Sequence, residues 1–121
     1  MVLLDTNIFI YLSKGTLGPA IISDTDIAHS SITKIEALGF TTIPANELLL
    51  LEAVFSESYD LSVTGAVVET AVKLRQRRRM SLGDSIIAAT ALENQLELWT
   101  ANVDDFANIE ELVIVNPLLG G

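Results

Sequence analysis

Cysteine is absent from the 121 residues, which excludes disulfides and thiolate zinc sites and is compatible with a cytoplasmic location. Although 50% of the residues are hydrophobic, no apolar run approaches the roughly 18 to 20 residues that span a bilayer, so no membrane association is expected. The N-terminus shows no basic region leading into an apolar stretch and a small-residue cleavage site, so no secretory leader is expected. Repeats, low-complexity tracts and linker-like stretches are missing too. A chain of this length is expected to form one domain, residues 1–121, with a core of its own.

Basic residues are scarce. Lys and Arg number 7 against 16 Asp and Glu, for a net charge of −9 and a pI near 4.3. Non-specific duplex binding is disfavoured, because its affinity comes from neutralising phosphates. An enzyme that meets phosphate through bound cations stays open, since clustered carboxylate ligands raise the negative count. The charge also favours basic partners.

What is present reads as alternating strands and helices. Residues 2–4 form a short buried strand, 7–13 a helix stopping before Lys14 and Gly15, and 18–24 a connection. A second strand is expected at 26–31, a short helix at 33–40, and a helix after Pro44, which takes its favoured first-turn position. A weak alternation at 59–63 suggests a third strand. Residues 64–79, TGAVVETAVKLRQRRR, carry apolar positions at helical spacing and cations at the C-terminal end, where they complement the macrodipole. A helix at 81–93, a strand at 97–100, a helical turn in DDFAN and a last strand at 112–116 complete the order. The expected fold class is α/β, a parallel sheet covered on both faces. In such sheets the ligand crevice lies outside the carboxyl ends of the strands, where Asp5 emerges.

Four acidic positions lie at or near helix starts: Asp5 in LLDTN, Glu36 in SSITKIEA, Asp84 in MSLGDSIIAATAL, and the Asn102-Val-Asp104-Asp105 group in TANVDDF. Each has an ordinary explanation. Thr33-x-x-Glu36 and Ser81-x-x-Asp84 resemble capping boxes, and Asp5, Thr6, Thr100 or Asn102 suit N-caps. Taken together they imply more. If the first and fourth strands are neighbours, Asp5 and the Asn102/Asp105 turn share one carboxyl edge. Glu36 starts from that edge one turn beyond strand 2, and the apolar Ile86, Ile87, Ala88 and Ala89 press the Asp84 helix against the sheet. Converging carboxylates raise one another's pKa unless a cation intervenes, and all-oxygen ligands select Mg2+ or Mn2+.

The ordered set LLDTNIFI, SSITKIEALG, SLGDSIIAATAL and WTANVDDF resembles the PIN-domain ribonucleases, and among them the VapC-type toxins of VapBC toxin–antitoxin pairs. The resemblance covers nearly the whole chain. It implies a metal-dependent endoribonuclease with about five parallel strands flanked by helices. Its first three acids fall on Asp5, Glu36 and Asp84. The acid of its final T-x-N-x-x-D-F motif falls on Asp105, with Thr100 and Asn102 supporting. Asp5, Asp84 and Asp105 are then ligands of Mg2+ or Mn2+, directly or through water. Glu36 is a ligand or orients the attacking water, and Thr6, Asn7 and Thr100 are hydrogen-bonding support. Asp104 receives no role. The resemblance further implies an RNA substrate, a homodimer and a small antitoxin whose C-terminal segment lies over the cleft.

The one basic cluster, Arg75, Arg77, Arg78 and Arg79, reads either as a solvated helix end or as a hold on RNA backbone. Leu48–Leu51 is apolar on too many sides for a helix packed on one face, so it is either fully buried or part of an interface. Trp99 reads as core or rim packing rather than a stacking platform. His29, the sole histidine, reads as a strand residue rather than a catalytic one. A phospho-receiver domain would need a central acceptor Asp and a late Lys, and Lys73 is the last lysine. A haloacid-dehalogenase-type phosphatase needs Asp-x-Asp, and position 7 is Asn. A non-catalytic PIN-like binding module and a structure-specific DNA nuclease are the remaining alternatives.

Overall fold

Strand β1 (Val2–Leu4) is wholly buried, as its unbroken apolar run requires, and it sits at the centre of the sheet. In the computed structural model, which describes residues 1–119, β1 pairs in parallel with β2 (Ile27–Ser30) on one side and β4 (Glu97–Trp99) on the other. Strand β3 (Ser58–Leu61) extends the β2 side and β5 (Ile114–Val115) the β4 side, both parallel, giving the order β3-β2-β1-β4-β5. The expected five-stranded parallel sheet is therefore present. Gly120 and Gly121, included in the expected domain, lie outside the described residues.

Period-two alternation sends neighbouring strand residues to opposite faces. Val2, Leu4 and Ile27 join a core with Ile8, Phe9 and Leu12 of helix α1 (Thr6–Lys14) and Leu51 and Phe55 of helix α3 (Ala45–Ser56). Leu3, Ala28 and Leu98 face the other way, onto Ile87, Ala88 and Ala91 of helix α5 (Leu82–Asn94) and Phe106 of the short helix α6 (Val103–Phe106). Ala89 of α5 turns outward to Val67 and Ala71 of helix α4 (Gly65–Arg77), which forms an outer layer. Helix α1 stops where Gly15 adopts a left-handed φ of 76°, a conformation that costs glycine little.

Several boundaries differ from the sequence reading, each for a local reason. Helix α2 (Ser31–Leu38) starts two residues early because the Ser30 side chain caps it, accepting from the Ile32 N–H. Thr33 is thus an interior residue, fully buried, and its capping box does not form. Helix α4 ends at Arg77 rather than 79, because Arg78 is extended with φ −157° and ψ 158°. Strand β5 begins late. Glu111 holds a φ of 69° and the Leu112 N–H closes a turn onto the Ile109 carbonyl. The connection after α1 contains a 3-10 turn at Pro19–Ile22. No helix among the described residues is long and apolar enough to cross a membrane.

Candidate metal-binding cleft

Leu4 pairs with Trp99, so the next residue of each strand, Asp5 and Thr100, emerges side by side at the carboxyl edge. The Asp5 N–H donates to the Trp99 carbonyl at 2.9 Å, continuing the ladder one step beyond the strands. Both Asp5 carboxylate oxygens are committed. Oδ1 accepts from the Thr6 N–H at 2.7 Å and Oδ2 from the Thr100 hydroxyl at 2.8 Å. Asp5 is therefore the N-cap of α1, and it is also buried at the centre of the site. Capping and function are not alternatives here.

Thr100 serves twice, because its Oγ1 also accepts the Asn102 N–H at 3.0 Å and so sets the start of the α6 turn. Glu36 lies in the sixth position of α2, farther from strand 2 than the single turn expected, at about 8 Å of helical rise. Thr6 holds it there. The Thr6 Oγ1 is 2.7 Å from Glu36 Oε1 and 3.2 Å from the Thr33 hydroxyl. Its single proton goes to the carboxylate, which leaves Thr33 as donor in the second bond. Asp84 sits in the first turn of α5, its N–H donating to Ser81 Oγ at 3.1 Å. The Ser81 half of that capping box is thus realised.

Asp5, Glu36, Asp84 and Asp105 line one cleft of about 430 Å³, together with Thr6, Asn7, Asn102, Ile10 and Phe40. No basic side chain lines it. Burial pushes the Asp5 carboxyl up to about 6. The charges of Asp84 and Glu36 add to this, while the hydrogen bonds from Thr100 and Thr6 oppose it. Burial also raises Asp84, with Asp105 and Glu36 contributing and Ser81 opposing. As the side chains stand, no three His, Cys, Asp or Glu among the described residues are gathered closely enough to hold one ion. Three of the carboxylate oxygens are occupied by hydrogen bonds within the chain. The donor set itself, four carboxylates with two Asn and no basic side chain, suits a hard divalent ion.

The remaining assignments separate. Asp104 is exposed and does not line the cleft. None of the four arginines lines it either; Arg77 and Arg78 border a second cleft with Lys73 and Asn108. Arg75, Arg77 and Arg79 are exposed, whereas Arg78 is half-buried. His29, on β2, is buried edge-to-face against the stacked rings of Phe9 and Phe55, its Nδ1 2.7 Å from Ser58 Oγ on β3. Leu51 is buried while Leu49 and Leu50 are exposed, so the Leu48–Leu51 run is only partly core.

Gly83 was not singled out from the sequence. A Cβ there would stand 2.5 Å from Glu36 Oε2, so only glycine lets α5 approach the Glu36 carboxylate this closely. The adjacency of Gly83 to Asp84 was the available signal, and nothing local ties it to Glu36. Thr33, as partner of Thr6, was concealed by its capping-box spacing.

The PIN domain family profile matches residues 2–112. No curated protein sequence matches the chain. Among solved structures, it is similar to a chain of a toxin–antitoxin complex from Klebsiella pneumoniae. They share 31% identity over 97% of this chain and 98% of that one, with a TM-score of 0.74. A chain of VapBC-5 from Mycobacterium tuberculosis, a member of the VapBC family of toxin–antitoxin systems, is 29% identical over 95% and 97%, with a TM-score of 0.70. A chain of VapBC2 from Rickettsia felis, bound to a DNA fragment from their promoter, shares the fold at 21% identity and a TM-score of 0.81, over 96% and 98%.

Proposed function

The chain belongs to the PIN-domain family, and from that premise we propose that it is a Mg2+- or Mn2+-dependent endoribonuclease, the toxin of a toxin–antitoxin pair. The observation that carries this reading is the cleft at the carboxyl edge, lined by Asp5, Glu36, Asp84 and Asp105 and by no basic residue. Such a site is electrostatically incomplete without a cation. When bound there, a divalent ion supplies a water of lowered pKa and a clamp on the scissile phosphate.

Asp5, Asp84 and Asp105 would hold the ion, directly or through water, and Glu36 would hold it or orient the attacking water. Thr100 fixes the rotamer of Asp5, and Thr6 fixes that of Glu36. Asn7 and Asn102 add to the polar lining. RNA is proposed as substrate on the family likeness, because carboxylates do not themselves read the sugar.

An antitoxin partner is supported by the complexes in which the similar chains were solved and by the neighbouring surface. An apolar groove of about 250 Å³ between α1 and α3 shares Ile10 and Phe40 with the carboxylate cleft. A partner segment lying along it would deliver a basic side chain to the acids. The exposed Leu49 and Leu50 supply apolar surface for the proposed homodimer.

Purified protein incubated with a mixed RNA pool in Mn2+, Mg2+ or EDTA, beside Asp84→Asn, tests the reading. Cleavage is expected with metal, and none with EDTA or with the folded variant. Cleavage of single-stranded or structured DNA alone would transfer the substrate assignment to DNA. Failure to cut any nucleic acid, with Asp84→Asn changing only the melting temperature, would reduce the acids to helix caps.

A further inference from the structure

Arg78 leaves α4 at the point where the backbone turns extended, and its side chain crosses to the turn that carries Asp105. One guanidinium nitrogen, Nη2, donates to the Asp105 carbonyl at 3.2 Å, and the other, Nη1, donates to the Ala107 carbonyl. These carbonyls lie at the C-terminal end of α6, where no intrahelical N–H remains to meet them. A planar fork with donors on both arms suits two such acceptors, and its positive charge complements the helix end.

The segment is thereby fixed from two directions. Thr100 accepts the Asn102 N–H at its start, Arg78 gathers the carbonyls at its end, and Phe106 is buried beneath. Asp105 lies between these restraints on an otherwise exposed four-residue helix. Its neighbours Arg75, Arg77 and Arg79 stay in solvent, so the cluster divides by role.

We propose that Arg78 is a positioning residue for Asp105, holding the last acid of the cleft in place by its fork onto the Asp105 and Ala107 carbonyls, and is not a contact to nucleic acid. The proposal rests on the metal-dependent nuclease reading above, which identifies Asp105 as a ligand.

The test compares Arg78→Ala and Arg78→Lys with wild type in three measurements: steady-state RNA cleavage across a salt series, Mn2+ affinity by calorimetry, and amide hydrogen exchange over residues 102–108. Both variants are expected to lower kcat and Mn2+ affinity by about 10- to 100-fold, the range for groups that orient metal ligands. Exchange in the segment should quicken, and the salt dependence of KM should not move. Lysine keeps the charge but not the fork, so it should not rescue.

A raised KM, with the log–log salt slope shallower by about 0.7 and rescue by lysine, would make Arg78 a phosphate contact and overturn the proposal. Lower stability with unchanged kcat, Mn2+ affinity and segment exchange would also overturn it, as a merely structural anchor. Should Arg78→Ala not fold, Arg78→Lys carries the same comparison. If wild type cuts no nucleic acid, the nuclease reading fails separately, and exchange with Mn2+ affinity still decides the role of Arg78.

Discussion

Replacing Asp5 by Asn should stabilise the metal-free protein at neutral pH while abolishing its proposed activity. Asp5 is ionised at pH 7.5, buried, and surrounded by Asp84 and Glu36, which is why its carboxyl is pushed from 3.8 up to about 6. At about 1.4 kcal/mol per pKa unit, the folded protein carries about 3 kcal/mol of electrostatic cost at this one residue. Asn removes the charge and keeps an oxygen for the Thr6 N–H, but its amide nitrogen cannot accept from Thr100, so that bond must reverse, the amide donating to the Thr100 Oγ1 beside the Asn102 N–H. A net gain of about 1 to 3 kcal/mol is expected, or about 4 °C in Tm per kcal/mol for a domain of this size. The pH dependence gives a sharper signature. Because the folded pKa lies above the unfolded one, wild type recovers stability as pH falls through 6 and regains it fully below about 3.8. The advantage of Asp5→Asn should therefore be full at pH 7.5 in EDTA, shrink through pH 6 and be lost or reversed near pH 4. Saturating Mn2+ should reverse the ranking, since wild type alone would gain about 4.1 kcal/mol at a thousandfold excess over Kd. Urea denaturation of both proteins across this pH range, with EDTA and then with Mn2+, makes the measurement. If Asp5→Asn is no more stable than wild type at pH 7.5 in EDTA, or if the difference ignores pH, the account of a strained carboxylate site is wrong.

Thr100→Val should cost about 1 to 3 kcal/mol in urea denaturation, because it strands both the Asp5 carboxylate and the Asn102 N–H, whereas Thr100→Ser should stay near wild type. Gly83→Ala should leave Tm unchanged or raise it, since alanine gains about 1 kcal/mol of helix propensity. RNA cleavage should nevertheless fall by about tenfold or more, because the new Cβ displaces the Glu36 carboxylate. Placed on a Glu36→Ala background, the same substitution should cost nothing further, and a full additional loss there would refute the steric link. Leu98→Ala, at a fully buried position on the α5 face, should lose about 2 to 5 kcal/mol of stability. The pH dependence tied to Asp5 should be retained in that variant.

The strands, helices and acids were legible because short-range chemistry announces them. The apolar run Val2–Leu4, Pro44 before α3, Ser81 before α5 and the cations ending α4 are local signals, and each marks the element found there. What stayed hidden is what depends on contacts between distant residues. Thr33-x-x-Glu36 carries the spacing of a capping box, yet Ser30 takes the cap and Thr33 turns inward to Thr6, 27 residues away. RQRRR reads as one basic run, yet Arg78 alone leaves it for carbonyls 27 and 29 residues on. Gly83 has no visible reason to be glycine until α2 is laid against α5.

The same long-range order explains why the acids gather where they do. From β1 the chain winds through β2 to β3 with α1 and α3 on one face, then returns to the opposite side of β1 for β4 and β5 with α5 and α6 on the other. Right-handed crossovers require this change of face when the winding direction reverses. The reversal falls between β1 and β4, so the helices that follow these two strands depart to opposite faces and leave a crevice at their carboxyl ends. Asp5 and Thr100 are the first residues past those two strands, and α1 carries Thr6 to meet Glu36 across the opening. A carboxylate at this position is partly desolvated by the sheet below it, and none of the elements that frame the crevice places a basic side chain in its lining. The topology thus produces both the opening and the electrostatic deficit within it, and that deficit is the ground on which the four acids are proposed to hold a hard cation.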